Sequence, residues 1–141
     1  KNVQLVWLGA NNEICEKYSK QANLNNNAVS MNNLSFDQIV ELYNTVDCLL
    51  FPSLYEGFGI PIIESFSYCL PIICSDIPVF NEIGNDSVSY FKKGDFISLS
   101  EKIQILINSE DLRKELSTKG TIQLNNFSRK NFIKGFEDLI I

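Results

Sequence analysis

Apolar and polar positions along the chain fall into alternating short runs, some with the two-residue or continuous pattern of strands and others with the spacing of helices. Val3 to Leu8 is apolar, rich in strand-forming residues, and stops at Gly9. Asn12 to Asn23 then places Ile14, Cys15, Tyr18 and Ala22 among charges at helical spacing. A polar loop from Asn23 to Asn27 leads to a short predicted strand, Ala28 to Met31, and Ser35 stands as N-cap for a helix over Phe36 to Thr45 that turns Ile39, Val40, Leu42 and Tyr43 toward a core. Val46 to Phe51 is nearly continuous apolar sequence, the pattern of a central parallel strand covered on both faces. Pro61 to Tyr68 reads as helix and Pro71 to Cys74 as a second buried strand. Ser75-Asp76-Ile77-Pro78 turns into a short helix at Phe80 to Ile83, closed by Gly84. Val88 to Phe91 is a fifth strand, and Gly94-Asp95 a turn. Phe96 to Asn108 is an amphipathic helix on Ile97, Leu99, Ile103, Leu106 and Ile107, with further helices expected at Asp111 to Lys119 and Asn131 to Ile141. Strands alternating with helices predict a doubly wound, mainly parallel, Rossmann-like α/β sheet.

The loop between the third strand and its helix holds the candidate chemistry. Glu56 and Glu64 bracket Gly57 and Gly59, which let a ligand approach the backbone, and Pro61, which suits a first helical turn. Ligands of such sheets bind at the carboxyl ends of strands, and amides at a helix start attract phosphate or sugar oxygens. A carboxylate in the first turn, where the spacing puts Glu64, can accept both hydroxyls of a vicinal diol. On spacing alone a plainer reading stands level with this one: Glu64 merely favours the helix start, and Glu56 is a solvated loop residue.

Composition narrows the classes. With 141 residues, 45% of them hydrophobic, the chain suits a single domain with its own core. Its net charge of −5, with basic residues adjacent only in isolated pairs such as Lys92-Lys93 and Arg129-Lys130, argues against a nucleic-acid partner. Cys15, Cys48, Cys69 and Cys74 form no C-x-x-C pair and the chain has no histidine, so neither zinc nor a disulfide framework has support. Buried thiols in a reducing, cytoplasmic compartment are expected, with the sequons at Asn33, Asn85 and Asn126 incidental. Glu56, Glu64 and Asp76 interrupt the most apolar region, so no transmembrane segment is predicted. Lys92 and Lys93 read as a solvated strand end, and Trp7 as core.

From Pro52 to Glu64 the chain meets the pattern Pro-Ser-x-x-Glu-Gly-Phe-Gly-x-Pro-x-x-Glu, and Cys69-Leu70-Pro71-Ile72-Ile73-Cys74-Ser75-Asp76 continues it as small residue, proline, apolar strand and Ser-Asp. Here it resembles the retaining glycosyltransferases of the GT-B fold, family 4 (glycosyl transferases group 1), and in particular their carboxy-terminal donor-binding half. The resemblance implies a nucleoside-diphosphate sugar as substrate, with Glu64 on the ribose diol and Glu56, the candidate catalytic residue, on a donor-sugar hydroxyl. Gly57, Phe58 and Gly59 would supply amides and Ile60 would lie beside the diphosphate or nucleoside. Phe58 reads equally as a ligand contact or a cover for the core. Asp76 is expected to cap the short helix, and Glu82 to anchor a loop. No metal or other cofactor is implied, and no Asp-x-Asp motif occurs.

The family's Gly-Arg…Lys segment does not precede Val3. The expectation is therefore that residues 1–141 form a nucleotide-sugar-binding domain truncated at its amino-terminal edge. The acceptor-binding domain would lie elsewhere, and the fragment alone would be inactive. Bacterial surface polysaccharide synthesis is the implied setting, with the inner membrane face as a further location for the full-length protein. Two alternatives are a GT-B-like sugar-nucleotide epimerase or phosphorylase, and a non-catalytic interaction module that keeps the motif only as helix-start structure.

Overall fold

A computed structural model describes residues 3–9, 12–24, 27–131, 133 and 134. The chain forms two compact units, Lys1–Leu42 and Tyr43–Ile141. In the first, β1 (Leu5–Leu8) and β2 (Ala28–Met31) pair in parallel, with Leu5 opposite Ala28 and Leu8 opposite Met31. They are joined through α1 (Asn12–Gln21), as a parallel pair requires. α1 departs from its predicted face: Cys15 is buried, whereas Ile14 and Tyr18 are about half exposed. Trp7 is half-buried and lines a cavity of about 420 Å³ together with Cys15, Glu16 and Val29, so it is not the core residue expected. Ser35 caps α2 (Phe36–Thr45) as predicted, and more completely: its Oγ accepts from Gln38 N at 3.3 Å, while Gln38 Oε1 accepts from Ser35 N at 2.9 Å. This reciprocal box satisfies two amides at the helix start.

In the second unit β3 (Leu49–Phe51), β4 (Ile72–Ser75) and β5 (Ser89–Phe91) form a parallel sheet in that order, with Phe51 opposite Cys74 and Ser75 opposite Phe91. All four residues of β4 are buried. Its side chains alternate between two layers. Ile72 and Cys74 pack with Ile62 and Phe66 of α3 (Ile60–Ser67) and with Phe80 and Ile83 of α4 (Pro78–Gly84), whereas Ile73 packs with Phe91, Leu106 of α5 (Phe96–Asn108) and Leu116 of α6 (Glu110–Leu124). Apolar cover on both faces is the doubly wound arrangement. It corrects one expectation: β4, not β3, is the central strand of this sheet. β3 is shorter than predicted and half-buried, because exposed Asp47 stands in the run that was read as continuous strand.

The helices differ from expectation mainly at their ends. α5 buries Leu106 and packs Leu99 and Ile103 inward, but Ile97 is 74% exposed, since it lies in the first turn just after the Asp95 cap. α6 starts one residue earlier than predicted, on a Ser109 cap, and runs five residues further. Gly120 on α6 lies against α3; a Cβ there would come within 2.5 Å of the Phe66 ring, so this helix pair needs glycine at the contact. A single 3₁₀ turn, Asn125–Phe127, follows α6. Of the helix expected at Asn131 to Ile141, residues 132 and 135–141 lie outside the described residues. Among the described residues no helix is long and apolar enough to cross a membrane.

All four cysteines are free, but they are not uniformly buried thiols. Burial pushes the Cys48 and Cys74 thiols up to about 12, which keeps them protonated and unreactive. Cys69 is exposed and takes a left-handed backbone, φ +54. It follows the last turn of α3, where its N–H donates to Phe66 O at 3.2 Å and Leu70 N donates to Ser65 O at 2.9 Å. That pair of bonds closes the helix and favours glycine at the left-handed position. Replacing Cys69 with glycine is therefore expected to raise stability by about 0.5–1 kcal/mol, the cost of a side chain in that conformation less the greater unfolded-state freedom of glycine. Urea denaturation checks this; a lower midpoint for Cys69→Gly would show that the Sγ contact to Thr121 Oγ1, at 3.5 Å, outweighs the backbone term.

Candidate functional site

The segment from Pro52 to Gly59 leaves the carboxyl end of β3 and enters α3. It positions its groups through local chemistry. Ser53 Oγ donates to Glu56 Oε1 at 2.8 Å, so the half-buried Glu56 carboxylate is held at one oxygen. Gly59 occupies the N-cap position of α3 at φ +93, with no side-chain cap, and is buried over Phe80: a Cβ at Gly59 would lie 2.9 Å from Phe80 Cε1. Only glycine fits both the left-handed backbone and the close approach. Pro61 falls in the first turn, as its residue type favours.

Among the described residues, the amides of Gly57, Phe58 and Gly59 donate to no backbone carbonyl, while Ile62 N bonds Gly59 O at 3.0 Å. Donors at a helix start without protein partners form an acceptor-seeking surface. Phe58 meets Phe127 edge-on at 6.3 Å and 84° and remains 50% exposed, so part of its ring covers a neighbour and part is open to solvent. Ile60 opens α3 and is 60% exposed.

Glu64 departs from expectation. It is the fifth residue of α3, because the helix starts one residue earlier than the predicted Pro61, so it falls just past the first turn, which holds no acidic residue. Helix-start electrostatics fade beyond the first turn, which weakens the reading that Glu64 merely favours the helix start. Glu64 is exposed, and its Oε2 accepts from Tyr43 Oη at 2.9 Å. The Tyr43 ring stacks on Tyr68 with centroids 5.2 Å apart and planes within 5°. Burial first, then the Glu64 carboxylate, raises the Tyr43 pKa well above that of an ordinary tyrosine, so the phenol remains a donor. The helical period alone places Tyr43 among the core residues of α2. A 21-residue separation hides its pairing, and the one available signal is polar: an aromatic with a hydroxyl on the inner face of a helix needs a partner.

Two neighbouring acids also differ from their sequence readings. Asp76 does not cap α4, whose N-cap is Ile77 without a side-chain bond; instead Asp76 Oδ1 accepts from Asn81 Nδ2 at 2.8 Å. Glu82 is exposed on α4 itself. Among the described residues no group of three or more His, Cys, Asp or Glu could hold a metal ion.

The family described as glycosyl transferases group 1 matches residues 1–123. The serotype-specific mannosyltransferase WbdA of Escherichia coli is 39% identical over 95 residues, 64% of this chain and 12% of that protein. The O-antigen chain mannosyltransferase RfbU of Salmonella typhimurium is 37% identical over 87 residues, 62% of this chain and 24% of that protein. The chain thus spans less than a quarter of the length of either relative. Among solved structures, sucrose-phosphate synthase from Thermosynechococcus elongatus superimposes with a TM-score of 0.84 at 17% identity, covering 97% of this chain and 37% of that one. This likeness shows the fold, the parallel α/β architecture of the GT-B glycosyltransferases.

Proposed function

We propose, from the premise that this chain belongs to the glycosyl transferases group 1 family, that it is the donor-binding domain of a retaining glycosyltransferase. The longer enzyme would transfer a sugar from a nucleoside diphosphate to a glycan or lipid-linked acceptor in surface polysaccharide synthesis. One observation carries the reading: the loop at the end of β3 presents amides without backbone partners at the start of α3, with the Glu56 carboxylate just before them and the Glu64 carboxylate one turn after.

The division of labour follows from donor and acceptor chemistry. Amides of Gly57, Phe58 and Gly59 and the amino end of α3 take diphosphate oxygens. Glu64, an acceptor with lone pairs to spare, takes the ribose hydroxyls. Glu56, held by Ser53 through one oxygen, offers the other to a hydroxyl of the donor sugar, which orients the anomeric carbon. An acceptor-binding domain and the cations that neutralise the departing diphosphate belong to the rest of the protein. Mannose is the first sugar to test, given the names of the relatives. The free thiols fit a cytoplasmic setting, and the reading calls for no metal.

Ligand-observed NMR of the chain with UDP, GDP and ADP and their sugar conjugates, in the presence of EDTA, tests the assignment. One nucleotide is expected to bind, and Glu64→Ala to weaken it by about 1.5–3 kcal/mol, the worth of hydrogen bonds to a charged group. Equal affinity in wild type and Glu64→Ala would remove the diol role, and binding only when a divalent cation is restored would refute the metal-free reading.

A further inference from the structure

We infer that Tyr43 is the positioning residue for Glu64, its hydroxyl pinning one carboxylate oxygen so that the remaining lone pairs meet the ribose diol of a nucleoside diphosphate. This rests on the role given to Glu64 above. The two residues come from different helices. Tyr43 lies near the end of α2 and Glu64 in the second turn of α3, and the bond between them is 2.9 Å. Tyr68, the C-cap of α3, follows Glu64 by four residues and so lies on the same side of the helix. Tyr43 spans that side, giving its hydroxyl to Glu64 and its ring to Tyr68 at 5.2 Å and 5°. The ring stack fixes where the hydroxyl sits, and the hydroxyl fixes the carboxylate.

An exposed glutamate without such a partner samples several rotamers and must be ordered each time a ligand binds. Tyr43 removes that cost in advance. A carboxylate has about four lone-pair sites, so one bond from Tyr43 to Oε2 leaves Oε1 and part of Oε2 for two ligand hydroxyls. A tyrosine that stays protonated suits the role, since it can act only as a donor to the ionised Glu64. Ser53 does the same for Glu56 from within the loop, so each of the two carboxylates has a hydroxyl donor holding one of its oxygens.

The test compares the tightest binder among UDP, GDP and ADP with its 2′,3′-dideoxy analogue, which keeps the diphosphate and base but lacks the diol. Wild type is expected to prefer the ribonucleotide. Tyr43→Phe keeps the stacked ring and loses only the hydroxyl; it should weaken the ribonucleotide about 5-fold and the dideoxy analogue by less than about 2-fold. In a Glu64→Ala background the same change should add no further loss, because the two residues act as one unit. Equal weakening of both ligands would mean that Tyr43 shapes the whole loop, and no weakening would mean that it does nothing for the ligand; either overturns the proposal while leaving Glu64 its role. A wild-type chain that does not distinguish ribose from dideoxyribose would instead refute the diol role of Glu64, and the proposal with it.

Discussion

Replacing Phe80 with alanine is expected to lower the stability of the Tyr43–Ile141 unit by about 3–5 kcal/mol, the range for truncating a buried phenylalanine. Its ring is fully buried, 4.9 Å from that of Phe51, and belongs to the cluster formed with Ile62, Phe66, Ile72 and Cys74. Domains are stable by only about 5–15 kcal/mol, so a loss of this size should make the variant marginal near body temperature. Urea denaturation followed by circular dichroism measures it. The ring also forms the floor beneath Gly59, so nucleotide binding should weaken even where the variant is still folded. A change below about 1 kcal/mol would mean that neighbouring side chains collapse into the space, and that the loop does not depend on this ring.

Gly59→Ala should be the next most damaging change, and Gly57→Ala serves as its control. At Gly59 the backbone is left-handed and the new methyl would sit 2.9 Å from Phe80 Cε1 and 3.2 Å from Cδ1. The left-handed conformation costs a side chain about 1–2 kcal/mol. Displacing a well-packed ring adds about 1–3 kcal/mol. Gly57, two residues earlier, has open space around its Cβ position and no positive φ, so alanine there should change stability by about 0.5 kcal/mol or less. Chemical denaturation of both variants separates geometry from composition. If both lose stability equally, the left-handed entry to α3 is not what requires glycine.

Much of the site was legible because its parts lie close along the chain. Glu56, Gly57, Phe58, Gly59 and Ile60 are consecutive, and the structure places them as one loop and helix start. The capping of α2 by Ser35 was readable for the same reason, with donor and acceptor three residues apart. Readings failed where the answer lay in another element. The Val46–Phe51 run and β4 are similarly apolar, and nothing in either says which becomes central; the strand order does. Ile97 fits an apolar helical face by period alone, yet it sits in the first turn of α5 beside the Asp95 cap and is exposed. With Pro61 as the helix start Glu64 reads as a first-turn residue, whereas the left-handed Gly59 starts α3 at Ile60.

Local interactions settled the elements of this protein from its amino-acid order: two-residue and 3.6-residue periods, caps, and glycine and proline at turns act over a few residues, so the α/β class and the glycine-bearing loop between two carboxylates were present in the string itself. The partners were settled by packing. Tyr43 reaches Glu64, Phe80 supports Gly59, and Gly120 admits Phe66 across sequence gaps of 21, 21 and 54 residues. Contacts at such separations depend on how buried faces stack, and many sequences share the same periods while stacking them differently.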